Sequence, residues 1–212
     1  MKNNLKKELG ISNLLIMYVG NLETYQGIDL LLESFALTLK HTDQSDLVII
    51  GGEASDIKKY QNKARAFGIE TKVHFLGPKP VDHLGFYLDQ ADLLVSPRIK
   101  GKNTPMKLYS YLDSGKALLA TDLPTHTQLL NQDIAMLAEP SADAYSEAMI
   151  CLIKDANLRL VLGDAGKQLI EQRHTFRAFR QKLNNLYDWL QEDLLRDKAA
   201  PSINFMEITR SN

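Results

Sequence analysis

Six short apolar runs, none longer than six residues, alternate along the first two thirds of the chain with stretches whose apolar residues recur at helical spacing. The runs are Leu14 to Val19, Leu47 to Ile50, Val73 to Leu76, Leu93 to Val95, Ala117 to Ala120 and Ile134 to Leu137. Apart from His74 in the third, each is continuously apolar rather than alternating, the pattern of a strand buried on both faces. Between them, Ile28, Leu31, Leu32, Phe35 and Leu39 fall on one helical face, as do Leu84, Tyr87, Leu88 and Ala91, and later Leu108, Tyr111 and Leu112. Strand–helix alternation of this kind predicts an α/β fold: a three-layer, Rossmann-like parallel sheet of about six strands, with right-handed crossovers and helices on both faces.

Beyond residue 140 the strand signals stop. Asp143 to Lys154, Leu158 to Gln172 and Phe176 to Leu195 read as three helices, a helical C-terminal extension. Residues 14–195 are therefore expected to form one domain, which suits a chain of 212 residues. Residues 1–13 precede the first strand, and residues 196–212 read as a poorly ordered tail.

Composition removes several classes. The formal net charge of −1 argues against a nucleic-acid-binding surface. The single cysteine, Cys151, excludes an intrachain disulfide. No Cys/His cluster suggests a structural metal, and the five histidines lack ligand spacing. His74 lies inside a strand run and reads as a satisfied core group, while Asp89 and Asp92 read as capping or solvated residues at the entry to the fourth strand. No leader-like apolar stretch follows the first residues, so a cytoplasmic protein is expected, with peripheral membrane association left open.

In an open parallel sheet, ligands bind outside the carboxyl ends of the strands. Those ends carry Gly20 and Asn21, Gly51 and Gly52, Gly77 and Lys79, Ser96 to Arg98, and Thr121 and Asp122. A single glycine there need only make a tight turn; three successive glycine-bearing ends with polar neighbours favour a ligand cleft. After the fourth strand comes Gly101 to Tyr109, in which Thr104 is expected as an N-cap and Pro105 as the first helical residue. The N–H groups of Met106 and Lys107 would then face outward as an anion site, with Lys100 and Lys102 nearby. The alternative is an ordinary capped helix with solvated lysines. No P-loop, dinucleotide Gly-x-Gly-x-x-Gly or Gly-x-Ser-x-Gly elbow is present.

Tyr18 to Phe35, Leu47 to Gly52, Val73 to Pro97 and Asn103 to Lys116 together resemble successive units of the C-terminal domain of GT-B fold, family-4 glycosyltransferases. The resemblance covers roughly residues 5–190 and implies a domain that binds a nucleotide-diphosphate sugar, UDP- or GDP-linked, without cofactor or bound metal. It implies retaining hexosyl transfer to a glycan or lipid-type acceptor held by an N-terminal domain, in the same or a separate chain. The segment Lys6 to Ile11 then corresponds to the interdomain linker. The catalytic groups would lie in the N-terminal half, so the isolated chain would transfer little.

Carried over position by position, the resemblance places Gly20 and Gly27 by the donor phosphates, Gly51 and Gly52 against the nucleotide, and Leu76, Gly77 and Lys79 by the base. Thr104, Pro105 and Met106 would face the sugar and diphosphate. The chain departs from the family pattern in the first loop, where Asn21 and Gln26 replace basic residues, and in the signature segment, where Lys102 and Ser110 replace two glutamates. Diphosphate charge would then fall to Lys107, Lys102 or Arg98, and the ribose hydroxyls to Ser110. A non-catalytic nucleotide-sugar-binding or scaffold module is the alternative function. The C-terminal helix carries an apolar stripe through Phe176, Phe179, Leu183, Leu186, Tyr187 and Leu190, suited to its own sheet or to a partner domain.

Overall fold

The computed structural model describes residues 4–199, with side chains described through residue 195. Strands β1 (Leu14–Val19), β2 (Ser45–Ile50), β3 (Val73–Gly77), β4 (Leu93–Ser96), β5 (Ala117–Thr121) and β6 (Met136–Ala138) form one sheet in the order β3-β2-β1-β4-β5-β6. Every pairing is parallel. This is a Rossmann-like doubly wound sheet. Its connectivity reverses between β1 and β4, the topological switch point where such sheets bind ligands.

The helices are α1 (Leu5–Leu9), α2 (Ile28–Leu39), α3 (Ala54–Ala66), α4 (Leu84–Leu88), α5 (Lys107–Asp113), α6 (Pro124–Thr127), α7 (Ala142–Lys154), α8 (Ala156–Arg173) and α9 (Phe176–Ala199). Successive strand residues point to opposite faces, and both faces are covered, so each strand reads as a continuous apolar run. On one face Ile16, Tyr18, Leu47, Ile49, Leu93 and Leu119 pack with Ile28, Leu31 and Phe35 of α2, Tyr60 of α3 and Met149 of α7. On the other, Leu15, Met17, Val48, Leu94 and Leu118 pack with Leu5 of α1 and Leu108, Tyr111 and Leu112 of α5. Buried hydroxyls between α2 and α7 are satisfied, with Thr38 Oγ1 and Ser146 Oγ 3.0 Å apart.

The chain divides into two compact units, residues 1–171 and 172–212. The sheet and α1–α7 belong to the first, and α9 lies in the second. Several boundaries differ from the sequence expectation; β2 begins at Ser45 and α8 at Ala156, each two residues early, and two further differences stand out. β6 begins at Met136, because the amides of Ile134 and Ala135 both donate to the Asn131 carbonyl and hold a turn where a strand was expected. Helix α9 continues through Ala199, past the expected start of the tail; residues 200–212 lie outside the described residues.

Candidate ligand cleft at the switch point

β1 ends against α5. The Val19 amide donates to Tyr111 Oη at 2.7 Å, and the same hydroxyl donates to the Val19 carbonyl at 3.2 Å. One phenol thus closes the last open backbone pair of the strand. The chain then turns at Gly20, whose amide continues the ladder to the Ile50 carbonyl at 3.0 Å. Gly51 in turn donates to the Gly77 carbonyl at 2.8 Å, so the ends of β1, β2 and β3 are bonded to one another. Gly51 (φ 111°) lies directly on the Gly20 carbonyl, where a Cβ would collide with backbone. Glycine is required there by close approach as well as by φ.

Gly27 (φ 75°) starts α2 and presses on the Pro97 carbonyl, which again leaves no space for a side chain. The Ile99 amide donates to the Tyr25 carbonyl at 3.0 Å. These contacts join the first loop to the loop after β4 across the switch point.

Between these loops sits Lys107. Its Nζ donates to Gln26 Oε1 at 3.3 Å and stands 4.1 Å from the centroid of the Tyr18 ring. It also touches Gly20 so closely that a Cβ there would lie 2.7 Å from the ammonium. Among the described residues no carboxylate pairs with Lys107. Burial, reinforced by the charge of Arg98, brings its pKa down from the usual lysine range to about 7. A cation enclosed beside an aromatic face and an amide, with no anion, is costly unless a ligand supplies the charge.

Arg98 is the second cation here and, unlike the half-buried Lys107, is buried, at 8% exposed. Its Nε donates to the Lys100 carbonyl at 2.7 Å, and its other nitrogens reach Asn103 O and Oδ1 at 3.4 and 3.3 Å. It stacks over Tyr25 at 5.1 Å and against Gly101. These donors shape its own loop, while its positive field remains at the cleft.

The expected helix cap at Thr104 is not formed. The Thr104 hydroxyl donates to Gln128 Oε1 at 3.2 Å, and α5 starts only at Lys107, with Met106 as N-cap and Pro105 before it. Gln128 also donates to the Lys102 carbonyl, and Thr125 to the Asn103 carbonyl at 2.7 Å, so α6 and the residue after it anchor this loop. Lys107 is correspondingly turned inward rather than standing at an outward helix start.

The remaining candidates are distributed around this centre. Gly52 packs on Leu22. Leu76 and Ser110 are half-buried, whereas Asn21, Lys79, Lys102 and Met106 are exposed. Thus Gly20, Gln26, Gly27, Arg98 and Lys107 converge at the switch point, and the other named positions surround it. A neighbouring open cleft of about 500 Å³, lined by residues including Glu23, Tyr25, Asp56, Lys59 and Lys100, contains neither Lys107 nor the strand-end glycines. Unneutralised charge and strand ends make the switch point, rather than that volume, the candidate ligand position.

Sequence reasoning missed two supports. Tyr111 reads as an ordinary core residue of its helix. His126 is fully buried, with Nε2 2.9 Å from Ser96 Oγ and Nδ1 2.9 Å from both Thr121 O and Oγ1. Thr121 Oγ1 donates onward to the Arg98 carbonyl, so this chain holds the loop that carries the cation. Burial lowers the His126 pKa to about 4, although the bond to the Thr121 backbone opposes the shift. Only its position just beyond a strand end could have signalled this role.

The fold and site define a Rossmann-like domain whose ligand end presents enclosed positive charge. Residues 1–169 match the family model described as Glycosyl transferases group 1, and the chain belongs to that family. A D-inositol 3-phosphate glycosyltransferase of Corynebacterium aurimucosum is 25% identical over 195 residues, 88% of this chain and 46% of that protein. An uncharacterized glycosyltransferase, MJ1069 of Methanocaldococcus jannaschii, is 18% identical over 87% of this chain and 47% of its own length. The chain therefore spans about half the length of the curated relatives it matches. Anabaena Alr3699/HepE, solved in complex with UDP, superimposes with a TM-score of 0.78 at 16% identity, over 88% of this chain and 52% of that one. The C-terminal domain of the group 1 glycosyl transferase LpcC from Francisella tularensis superimposes at 0.69 with 18% identity, over 83% of this chain and 95% of that domain. The architecture is that of the C-terminal half of the GT-B fold.

Proposed function

We propose that this chain is the donor-binding half of a family-4, retaining glycosyltransferase that works in the cytoplasm on a UDP- or GDP-linked hexose. The observation that carries this reading is Lys107, a half-buried cation without an acidic partner among the described residues at the switch point of the sheet. A nucleoside diphosphate supplies the missing negative charge, and the ammonium also stabilises that diphosphate as it leaves. Gly20, Gly27, Gly51 and Gly52 let backbone approach the phosphates and nucleotide, Leu76, Gly77 and Lys79 border the base, and Ser110 meets the ribose. Thr104, Pro105 and Met106 line the sugar side, with Lys102 and Arg98 adding positive field. Binding proceeds without a metal ion in this reading. An N-terminal domain, in the same or another chain, holds the glycan or lipid-type acceptor and supplies the catalytic groups. Peripheral association with a membrane would suit a lipid acceptor.

Calorimetric titration with UDP, GDP, ADP and their sugar conjugates, without added metal, tests this. One nucleotide should bind, and Lys107→Ala should weaken it by about 1–3 kcal/mol. Unchanged affinity in that variant removes the argument. A second reading, a non-catalytic binding or scaffold module, is favoured by one arrangement. Gln26 holds Lys107, and the Arg98 donors are committed to their own loop, so fewer groups are free to grip a diphosphate. Absence of binding to every nucleotide would favour it.

A further inference from the structure

β1 and β4 pair through only two residues, Ile16 with Leu93 and Met17 with Leu94. On their outer sides both strands run further. β1 pairs β2 as far as Val19 with Ile50, and β4 pairs β5 as far as Ser96 with Ala120. The two strands therefore part before the carboxyl rim, at the switch point. Along a parallel strand the amide and carbonyl of one residue face one neighbour, and those of the next residue face the other. Gly20 faces β2, donating to Ile50, and Leu15 faces β4, accepting from the Asp92 amide. Val19, four residues after Leu15, also faces β4, where the ladder has already ended.

Tyr111 of α5 fills that gap. A phenol hydroxyl has one proton to give and lone pairs to accept, and Val19 uses both. Its amide donates to Oη at 2.7 Å, and Oη donates to its carbonyl at 3.2 Å. The ring is fully buried, which raises the Tyr111 pKa and keeps the donor proton in place. Lys107 stands four residues earlier on α5, so it shares the face that carries Tyr111. Its ammonium reaches Gly20, the residue after Val19, and the ring of Tyr18, the residue before it. Tyr18 packs on one face of the sheet and α5 on the other. Lys107 thus crosses the strand end at Gly20, where a Cβ would lie 2.7 Å from Nζ and 3.0 Å from Tyr18 Oη. So tight a passage tolerates little sliding or rotation of α5. The helix has seven residues and no side-chain bond at its N-cap, too little to fix its own placement. Leu108 and Leu112 pack it on the sheet, but apolar packing is non-directional. The two bonds of Tyr111 are directional, and they tie α5 to the residue between the two that Lys107 touches.

We propose that Tyr111 is the positioning residue of the cleft: its hydroxyl holds α5 so that the Lys107 ammonium lies over the end of β1. That this ammonium then meets a diphosphate rests on the donor-binding reading above; the placement itself does not.

Tyr111→Phe removes the hydroxyl alone. Val19 is half-buried, so water can take over its amide and carbonyl in the variant. NMR titration of the full chain, followed at the carbons beside the lysine ammonium groups, reads the result without any nucleotide. Burial and Arg98 hold the Lys107 midpoint at about 7, and the other titratable groups that adjoin it are Tyr18 and His126. In Tyr111→Phe that midpoint should rise by about one pH unit or more, as the ammonium moves into water. Leu112→Val loosens the packing of the same helix but keeps the hydroxyl, and should leave the midpoint in place. Equal midpoints in the wild type and Tyr111→Phe overturn the proposal, as does an equal shift in both variants. If Tyr111→Phe does not fold, hydrogen exchange of the wild-type protein still decides. The Val19 amide should be protected as strongly as that of Met17, and rapid exchange at Val19 overturns the proposal.

Affinity for UDP adds a functional readout. Tyr111→Phe should weaken it about fivefold or more, and should have no effect in the Lys107→Met background. An equal loss in both backgrounds overturns the proposal. A chain that binds no UDP counts against the donor reading alone, and the lysine titration still decides the role of Tyr111.

Discussion

The two rims of the same sheet treat charge in opposite ways. At the amino ends of the strands, buried or half-buried charges are neutralised. Asp92 accepts from the Leu15 amide at 2.8 Å and from Lys6 Nζ at 2.7 Å. Asp46, 5% exposed, accepts from Asn13 Nδ2 at 3.0 Å, Lys72 Nζ at 3.4 Å and lies 3.1 Å from His74 Nε2. At the carboxyl ends Lys107 and Arg98 are enclosed with amides, carbonyls and aromatic rings but no acid. A rim with paired charges is complete by itself. A rim with unpaired cations is stable only at a cost that an anion removes. The first rim closes the fold, and the second carries the charge that the proposed nucleotide would neutralise.

Acid should produce the largest effect that separates the rims. The folded-state pKa of His126 is lowered, so its neutral form is favoured, and its contribution is fully present above the unfolded value near 6.5. It should be lost as pH falls from about 6.5 to 4, on the order of 3 kcal/mol in all, measured by urea unfolding at stepped pH. His126→Gln should flatten that part of the profile.

Removing a charge should then act with opposite sign at the two rims. Asp46→Ala strands Lys72 and His74 and should destabilise by about 2–3 kcal/mol with nucleotide affinity unchanged. Lys107→Met removes an uncompensated cation and should stabilise the free protein by about 1–3 kcal/mol while weakening nucleotide binding. If both variants destabilise, the contrast between the rims is wrong.

Donor affinity should also depend on pH. With the Lys107 pKa at about 7, the free protein must take up a proton to bind an anion at higher pH. Affinity should fall by up to tenfold per unit above pH 7, and Lys107→Arg should remove that slope. The smallest effect belongs to Lys6→Ala. Its bridge to Asp92 is about one-third exposed at both ends, so the loss should stay below about 1 kcal/mol.

Much of the fold was legible because both sheet faces are covered. β1 spans Leu14–Val19 as its apolar run does, and β4 and β5 extend theirs by only one residue. His74 illustrates a reading that held in part: it is satisfied, but by Asp46 at the sheet rim rather than within the apolar core. Of the two roles expected for Asp92, capping or solvated, the structure shows the first: its carboxylate accepts from the Leu15 amide while its own amide donates to the Leu15 carbonyl. Thr104 failed as a cap because a partner twenty-four residues away, Gln128, competes for its hydroxyl. No local rule weighs such a competitor.

The sequence by itself determined the layer order, the parallel sheet and the rim at which glycine clusters. Those follow from the period of the apolar residues and from backbone sterics, both local properties. Only the tertiary structure decided that Gln26, eighty-one residues from Lys107, would hold its ammonium, that Gly20 would lie against it, and that Tyr111 would clamp the end of β1. The state of a buried charge depends on everything that encloses it, and that enclosure exists only once the strands and loops have come together.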